Sequence, residues 1–140
     1  MILDDIIKTK ELEVVELKDA HRGKDIEVLA NSLPKPRDFH GAFKKGTFSL
    51  IAEIKRASPS AGVIRENFSP IYLAKAYEEA GASALSVLTD KKYFMGDISH
   101  LKSAKESTTI PVLRKDFIID ERQIYESRIA GADATWGCIL

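Results

Sequence analysis

Apolar residues recur at helical spacing in the first twenty positions and in short strand-like runs after residue 47, and this change of rhythm organises the chain. Leu3, Ile6, Ile7, Val14 and Leu17 fall roughly on one face of a helix predicted from Asp4 to Ala20, with Lys and Glu filling the other faces. "HRGKD" (His21 to Asp25) breaks that pattern, and Gly23 is a plausible stop. A short helix is predicted from Asp25 to about Ser32. "LPKPRD" ends it, because its prolines exclude helix and favour extended chain. Asp38 is placed to cap one more short helix through Phe43, closed by Gly46.

From Thr47 onward strands and helices alternate. Phe48 to Lys55 reads as a strand. Ser69-Pro70 reads as an N-cap with proline at the first helical position, opening a helix that ends at Gly81. Ser83 to Leu88 is a second strand, Asp97 to about Glu106 a weaker helix, and Pro111 to Lys115 a third strand. Asp120 to Ala130 is a helix ending at Gly131, and Asp133 to Leu140 opens a fourth strand. The joints "EEAGASALSVL" and "RIAGADATWGCIL" are near copies, each placing glycine just past a helix, where a left-handed residue is needed, before a strand begins. The order β-α-β-α-β-α-β implies a parallel sheet with right-handed crossovers. Both a doubly wound sheet and a (β/α) barrel satisfy it.

Strand parity favours the barrel. In "LIAEIK", Ile51, Glu53 and Lys55 share one face, and Leu50, Ala52 and Ile54 share the other. A doubly wound sheet buries both faces under helices and leaves the opposite charges without a purpose. A barrel turns one face inward, and the rim at the strands' C-terminal ends is where such enzymes work. The glycine pattern of a dinucleotide loop and the Walker A loop are both absent. The expected fold class is therefore α/β: a partial TIM (β/α)8 barrel of roughly four strands. Residues 1–46 are expected to form an N-terminal helical extension and residues 47–140 the first half of the barrel.

Composition narrows the function classes. The 140 residues carry 21 basic and 21 acidic side chains, so no global field points to nucleic acid or a membrane surface, and an anion site has to be local. The single cysteine, Cys138, can form no internal disulfide and fits a reducing cytoplasm. The first residues lack the apolar core of a signal peptide, and no apolar run approaches the ~20 residues of a membrane helix.

Candidate chemistry gathers at the strand ends. Lys115 shares parity with Leu113 and is expected at the same rim as Lys55 and Glu53. Two lysines and a glutamate there form a cationic, partly desolvated pocket suited to a phosphate or carboxylate, and to general-acid work. The bland alternative is that strand-end lysines simply reach to water. Pro59 biases Ser58 to an extended geometry that aims its hydroxyl. Phe94 and Phe117 each follow a strand, where they can line a pocket for an aromatic group or merely pack. Asp90, Asp97, Asp116 and Asp120 lack metal-ligand spacing and read as caps and loop residues. The three histidines lie outside the strand ends, and no Ser-His-Asp or Cys-His arrangement is evident.

"LIAEIKRASPSAG" (Leu50 to Gly62) resembles the signature of indole-3-glycerol phosphate synthases: a strand carrying Glu-x-Lys, then Ser-Pro. "SVLTDKKYFMGDISHL" resembles that family's second strand and its aromatic-Gly loop, and "PVLRKDFIIDERQIYESRIAGAD" its third strand and helix. The N-terminal helices match too, so the resemblance covers residues 1 to about 134. It implies closure of an indole ring on 1-(2-carboxyphenylamino)-1-deoxyribulose 5-phosphate with loss of CO2 and water, in tryptophan biosynthesis. No metal or organic cofactor is implied. Lys115 matches the general acid on the ribulose carbonyl. Lys55 matches a lysine that binds substrate anions and donates a proton in the dehydration, and Glu53 the glutamate that supports both. Ser58 and Pro59 match residues beside the substrate carboxylate or ring, and Phe94 and Phe117 the apolar lining around the anthranilate ring.

The end of the chain departs from the family. A whole barrel takes about 250 residues, whereas "ATWGCIL" puts Trp136 and Gly137 where that family carries aliphatic residues. A truncated or frameshifted product, or a gene fragment, is expected, with the family's later glutamate, asparagine-arginine pair and glycine-rich phosphate cradle missing. Four strands cannot close, so this chain alone is expected to be inactive and prone to associate. The alternatives are a non-catalytic half-barrel that associates with itself or with a complementary fragment, and another phosphate-binding barrel such as a Schiff-base aldolase.

Overall fold

A computed structural model describes residues 1–136. Its centre is a parallel four-stranded sheet in the order β1 (Ile51–Ile54), β4 (Ala84–Leu88), β5 (Val112–Lys115), β6 (Ala134–Trp136). A two-stranded antiparallel hairpin, β2 (Ala57–Ser58) and β3 (Gly62–Val63), follows β1. Helices α3 (Pro70–Glu79), α5 (Ile98–Ser107) and α6 (Glu121–Ile129) make the crossovers, and the four-residue α4 (Lys91–Phe94) sits between β4 and α5. The N-terminal stretch forms α1 (Ile2–Ala20), α2 (Ile26–Ser32) and a 3-10 turn at His40–Ala42. This is the α/β, strand-helix architecture of a partial barrel. The expected fourth strand runs from Asp133 to Leu140; its last four residues, with Gly137 of the expected break and Cys138, lie outside the described residues.

Local chemistry explains the boundaries. Ser69 accepts a hydrogen bond from the Tyr72 amide at the start of α3, and Pro70 needs no donor there. Asp25, Asp97 and Asp120 cap α2, α5 and α6 in the same way. At α6 the cap is reciprocal, since Gln123 reaches back to the Asp120 amide. Gly81 and Gly131 take left-handed φ of 93° and 100°, turning each helix into the next strand.

The first barrel strand is shorter than expected. It begins at Ile51, and Phe48 is 93% exposed. The reason lies in its neighbour: β4 begins at Ala84 directly after the Gly81 turn, so only the Leu50 carbonyl, which accepts from the Ser83 amide, extends the ladder backwards. Beyond β1, Ala57 to Val63 fold back on themselves as the β2–β3 hairpin, with Ala57 opposite Val63 and Ser58 opposite Gly62.

Register assigns the faces. Glu53 pairs with Ser86, Ser86 with Leu113, and Lys115 with Leu88 and Trp136, so these side chains share one face. The other face presents Ala52, Ile54, Leu85, Val87 and Val112 to Leu73 and Ala74 of α3 and to Leu101 and Ala104 of α5, forming the core. The short α2 packs on α6, and α1 also lies against α6.

Candidate active site

Glu53 is the third residue of β1, Lys55 follows that strand, and Lys115 ends β5. Parallel strands that begin in register also end together, which brings the three to one rim. Lys115 Nζ donates to Glu53 Oε2 at 2.9 Å, and Lys55 Nζ lies 3.4 Å from Glu53 Oε1. One carboxylate thus holds both ammonium groups, each partly open to solvent. Such a pair keeps two cations at a fixed spacing while leaving donors free for an incoming anion.

The two phenylalanines meet at the same rim. Their ring centroids lie 6.3 Å apart with planes tilted by 39°. Phe94 ends α4, and Phe117 is the second residue of the loop after β5. Ser58 sits on β2, which packs beside α4. Its hydroxyl accepts from the Ala61 amide at 3.2 Å and lies 3.5 Å from the Ser60 hydroxyl, so its bonds stay within the hairpin. Pro59 is exposed at the hairpin turn. The expected residues therefore fall into three groups: Glu53, Lys55 and Lys115 in direct contact, Phe94 and Phe117 as a ring pair, and Ser58 and Pro59 on an adjacent hairpin.

A buried ionic network lies behind this rim. Lys10, on α1, is 1% exposed. Its ammonium is 2.7 Å from Asp90 Oδ1, 2.9 Å from Asp116 Oδ1 and 2.7 Å from Glu13 Oε2. Arg114 completes the network, donating to Thr89 Oγ1, Asp116 Oδ2, Glu126 Oε2 and the Ser127 hydroxyl. Burial pushes the Asp116 carboxyl up, but the Arg114 and Lys10 charges outweigh it and hold it below the usual carboxylate range. Burial alone would lower Lys10. The carboxylates of Asp116, Asp90 and Glu13 outweigh that and raise it above its ordinary value.

Asp90 and Asp116 are therefore more than the caps and loop residues the sequence suggested. Asp90 does cap α4, yet both are buried charges bridged by one lysine. The signals were present. Lys10 interrupts the apolar stripe midway between Ile6 and Val14, and Arg114 has opposite parity to Lys115, on the helix-covered face. Among the described residues, no group of three His, Cys, Asp or Glu side chains is gathered to hold a metal. No described helix is long and apolar enough to cross a membrane.

The sequence is similar to that of one family of known proteins. The sequence pattern of the family described as "Indole-3-glycerol phosphate synthase" matches residues 3–136. A relative of that name from Clostridium acetobutylicum is 50% identical over 135 residues, covering 96% of this chain and 52% of the relative. One from Chlorobium phaeovibrioides is 51% identical over 134 residues, covering 94% of this chain and 52% of the relative. One from Neisseria meningitidis is 49% identical over 137 residues, covering 95% and 53%. The chain spans about half the length of the curated relatives it matches.

Proposed function

The chain belongs to the indole-3-glycerol phosphate synthase family, and on that premise we propose that it supplies the lysine and glutamate wall of a site that closes the indole ring of 1-(2-carboxyphenylamino)-1-deoxyribulose 5-phosphate, with loss of CO2 and water. The observation that carries the reading is the contact of Glu53 with both Lys115 and Lys55 at the rim where Phe94 and Phe117 also meet. Lys115 is the general acid on the ribulose carbonyl. Lys55 binds a substrate anion and donates a proton in the dehydration. Glu53 keeps the two ammonium groups apart and aimed. The phenylalanines receive the anthranilate ring, with Ser58 and Pro59 beside it. The substrate's anionic groups suit lysines, and its aromatic ring suits the Phe pair.

The four described strands of the central sheet furnish one wall of that site. The site operates without metal or organic cofactor, in the cytoplasm. Residues 1–46 act as an extension of the barrel begun by residues 47–140. In isolation the sheet exposes Ile51 at 43% and Trp136 at 60%, which supports association of the open half-barrel with itself. Light scattering of the purified chain tests that point.

A chimera tests the chemistry. Residues 1–136 replace the matching segment of the Clostridium acetobutylicum relative, and indole fluorescence follows ring closure. Turnover is expected. A folded chimera without it, or a lysine adduct trapped by borohydride in favour of the Schiff-base alternative, contradicts the reading.

A further inference from the structure

We propose that Lys10, far in sequence from the reacting groups and carried on α1 rather than at a strand end, is the positioning residue that fixes the two phenylalanines of the site. The proposal rests on the functional reading above. Its argument is a chain of contacts running from one ammonium to both rings.

On one side, Lys10 holds Asp90 Oδ1 at 2.7 Å. The other oxygen of that carboxylate, Oδ2, accepts from the Tyr93 and Phe94 amides at 2.7 and 3.2 Å. The Asp90 carbonyl also accepts from the Gly96 amide at 2.7 Å, closing the loop around Phe94. On the other side, Lys10 holds Asp116 Oδ1 at 2.9 Å, and that same oxygen accepts from the Phe117 amide at 2.8 Å. The backbone nitrogen of each phenylalanine is therefore bonded to a carboxylate that Lys10 holds. Asp90 follows β4 and Asp116 follows β5, so a single cation sets the spacing of two separate loops.

The rest of α1 reinforces the grip. Thr9 Oγ1 lies 3.2 Å from the Tyr93 hydroxyl and 3.4 Å from Lys92 Nζ, both on α4. Without the lysine, Asp90 and Asp116 would be two buried like charges in adjacent loops, and Arg114 reaches Asp116 alone. The loops would separate, and the rings with them. A methionine keeps the length and much of the volume of the lysine stem, so its replacement removes the charge and leaves the packing.

The test uses the 140-residue chain itself and needs no turnover. Fluorophenylalanine is incorporated at the six phenylalanines, and 19F spectra and amide hydrogen exchange are compared among wild type, Lys10→Met and Lys10→Arg. In Lys10→Met the resonances of Phe94 and Phe117 should shift, and the Tyr93, Phe94 and Phe117 amides should lose protection by about tenfold or more relative to Val87 in the core. Lys10→Arg, which retains the charge, should recover part of both signals. Unchanged Phe94 and Phe117 resonances, or a loss of protection spread evenly over the chain, would overturn the proposal. If Lys10→Met does not fold, Asp90→Asn serves, since it keeps an acceptor for the Tyr93 and Phe94 amides but loses the charge. It should then shift Phe94 more than Phe117, and the reverse order also overturns the proposal. Failure of the chimera to close the indole ring leaves these spectra unaffected, so the two claims fall separately.

Discussion

Replacing Arg114 by methionine should destabilise the chain more than any substitution at the solvent-facing rim. The side chain is 7% exposed and holds β5 to α6 and to the loop after β4. Its Nε donates to Thr89 at 2.9 Å, and one terminal nitrogen donates to Glu126 at 2.7 Å and Ser127 at 3.0 Å. The other donates to Asp116 at 3.2 Å. Breaking a buried ion pair by removing one partner costs about 3–5 kcal/mol, because the remaining charge is left uncompensated. Lys10 still neutralises Asp116, so the lower end, about 3 kcal/mol, applies. Against a total stability of about 5–15 kcal/mol this is a large fraction. Urea unfolding followed by far-ultraviolet circular dichroism should show the midpoint falling by roughly 1.5 M for a slope of about 2 kcal/mol per molar. Arg114→Lys should fall between, since one ammonium cannot reproduce the planar fork. A loss below about 1 kcal/mol in Arg114→Met would refute the reasoning, placing this network among those with little net worth.

The same network sets two further expectations. Asp116 titrates below its unfolded value of about 3.9, so its contribution is present above that pH and is lost as pH falls through the folded-state value. Acid unfolding monitored by circular dichroism should therefore set in below about pH 4, and its slope should be shallower in Arg114→Met. Gly96→Ala should cost about 1–3 kcal/mol, because its new Cβ would lie 2.5 Å from the Leu88 carbonyl oxygen and 2.9 Å from that of Asp90, both backbone atoms that cannot turn aside. Thermal denaturation measures that loss.

Periodicity made part of this molecule readable and hid the rest. Two-residue alternation puts Glu53, Lys55 and Lys115 at one inward-facing rim, and the structure joins them through one carboxylate. The caps at Asp25, Ser69, Asp97 and Asp120 were legible because a short polar side chain before an apolar run has a local job. The hairpin after β1 and the single turn of α4 were missed, being too short to establish a period. Lys10 and Arg114 were missed for another reason. Each occupies a position that local pattern assigns to an apolar residue, and each has partners on distant segments, Thr89 for Arg114 and Asp90 and Asp116 for Lys10. Only the tertiary fold brings Asp90 and Asp116 to Lys10, and Thr89 and Glu126 to Arg114.

The most direct test of the central claim is the rate of ring closure by the chimera with Lys115→Ala, measured at saturating substrate. If Lys115 is the general acid as proposed, kcat should fall by about 10²–10⁴ with the fold intact by circular dichroism. Glu53→Gln, which leaves Lys115 and Lys55 without their shared carboxylate, should fall less. An unchanged kcat in Lys115→Ala would contradict the account, for the lysine at the end of β5 would then be only a side chain reaching for water.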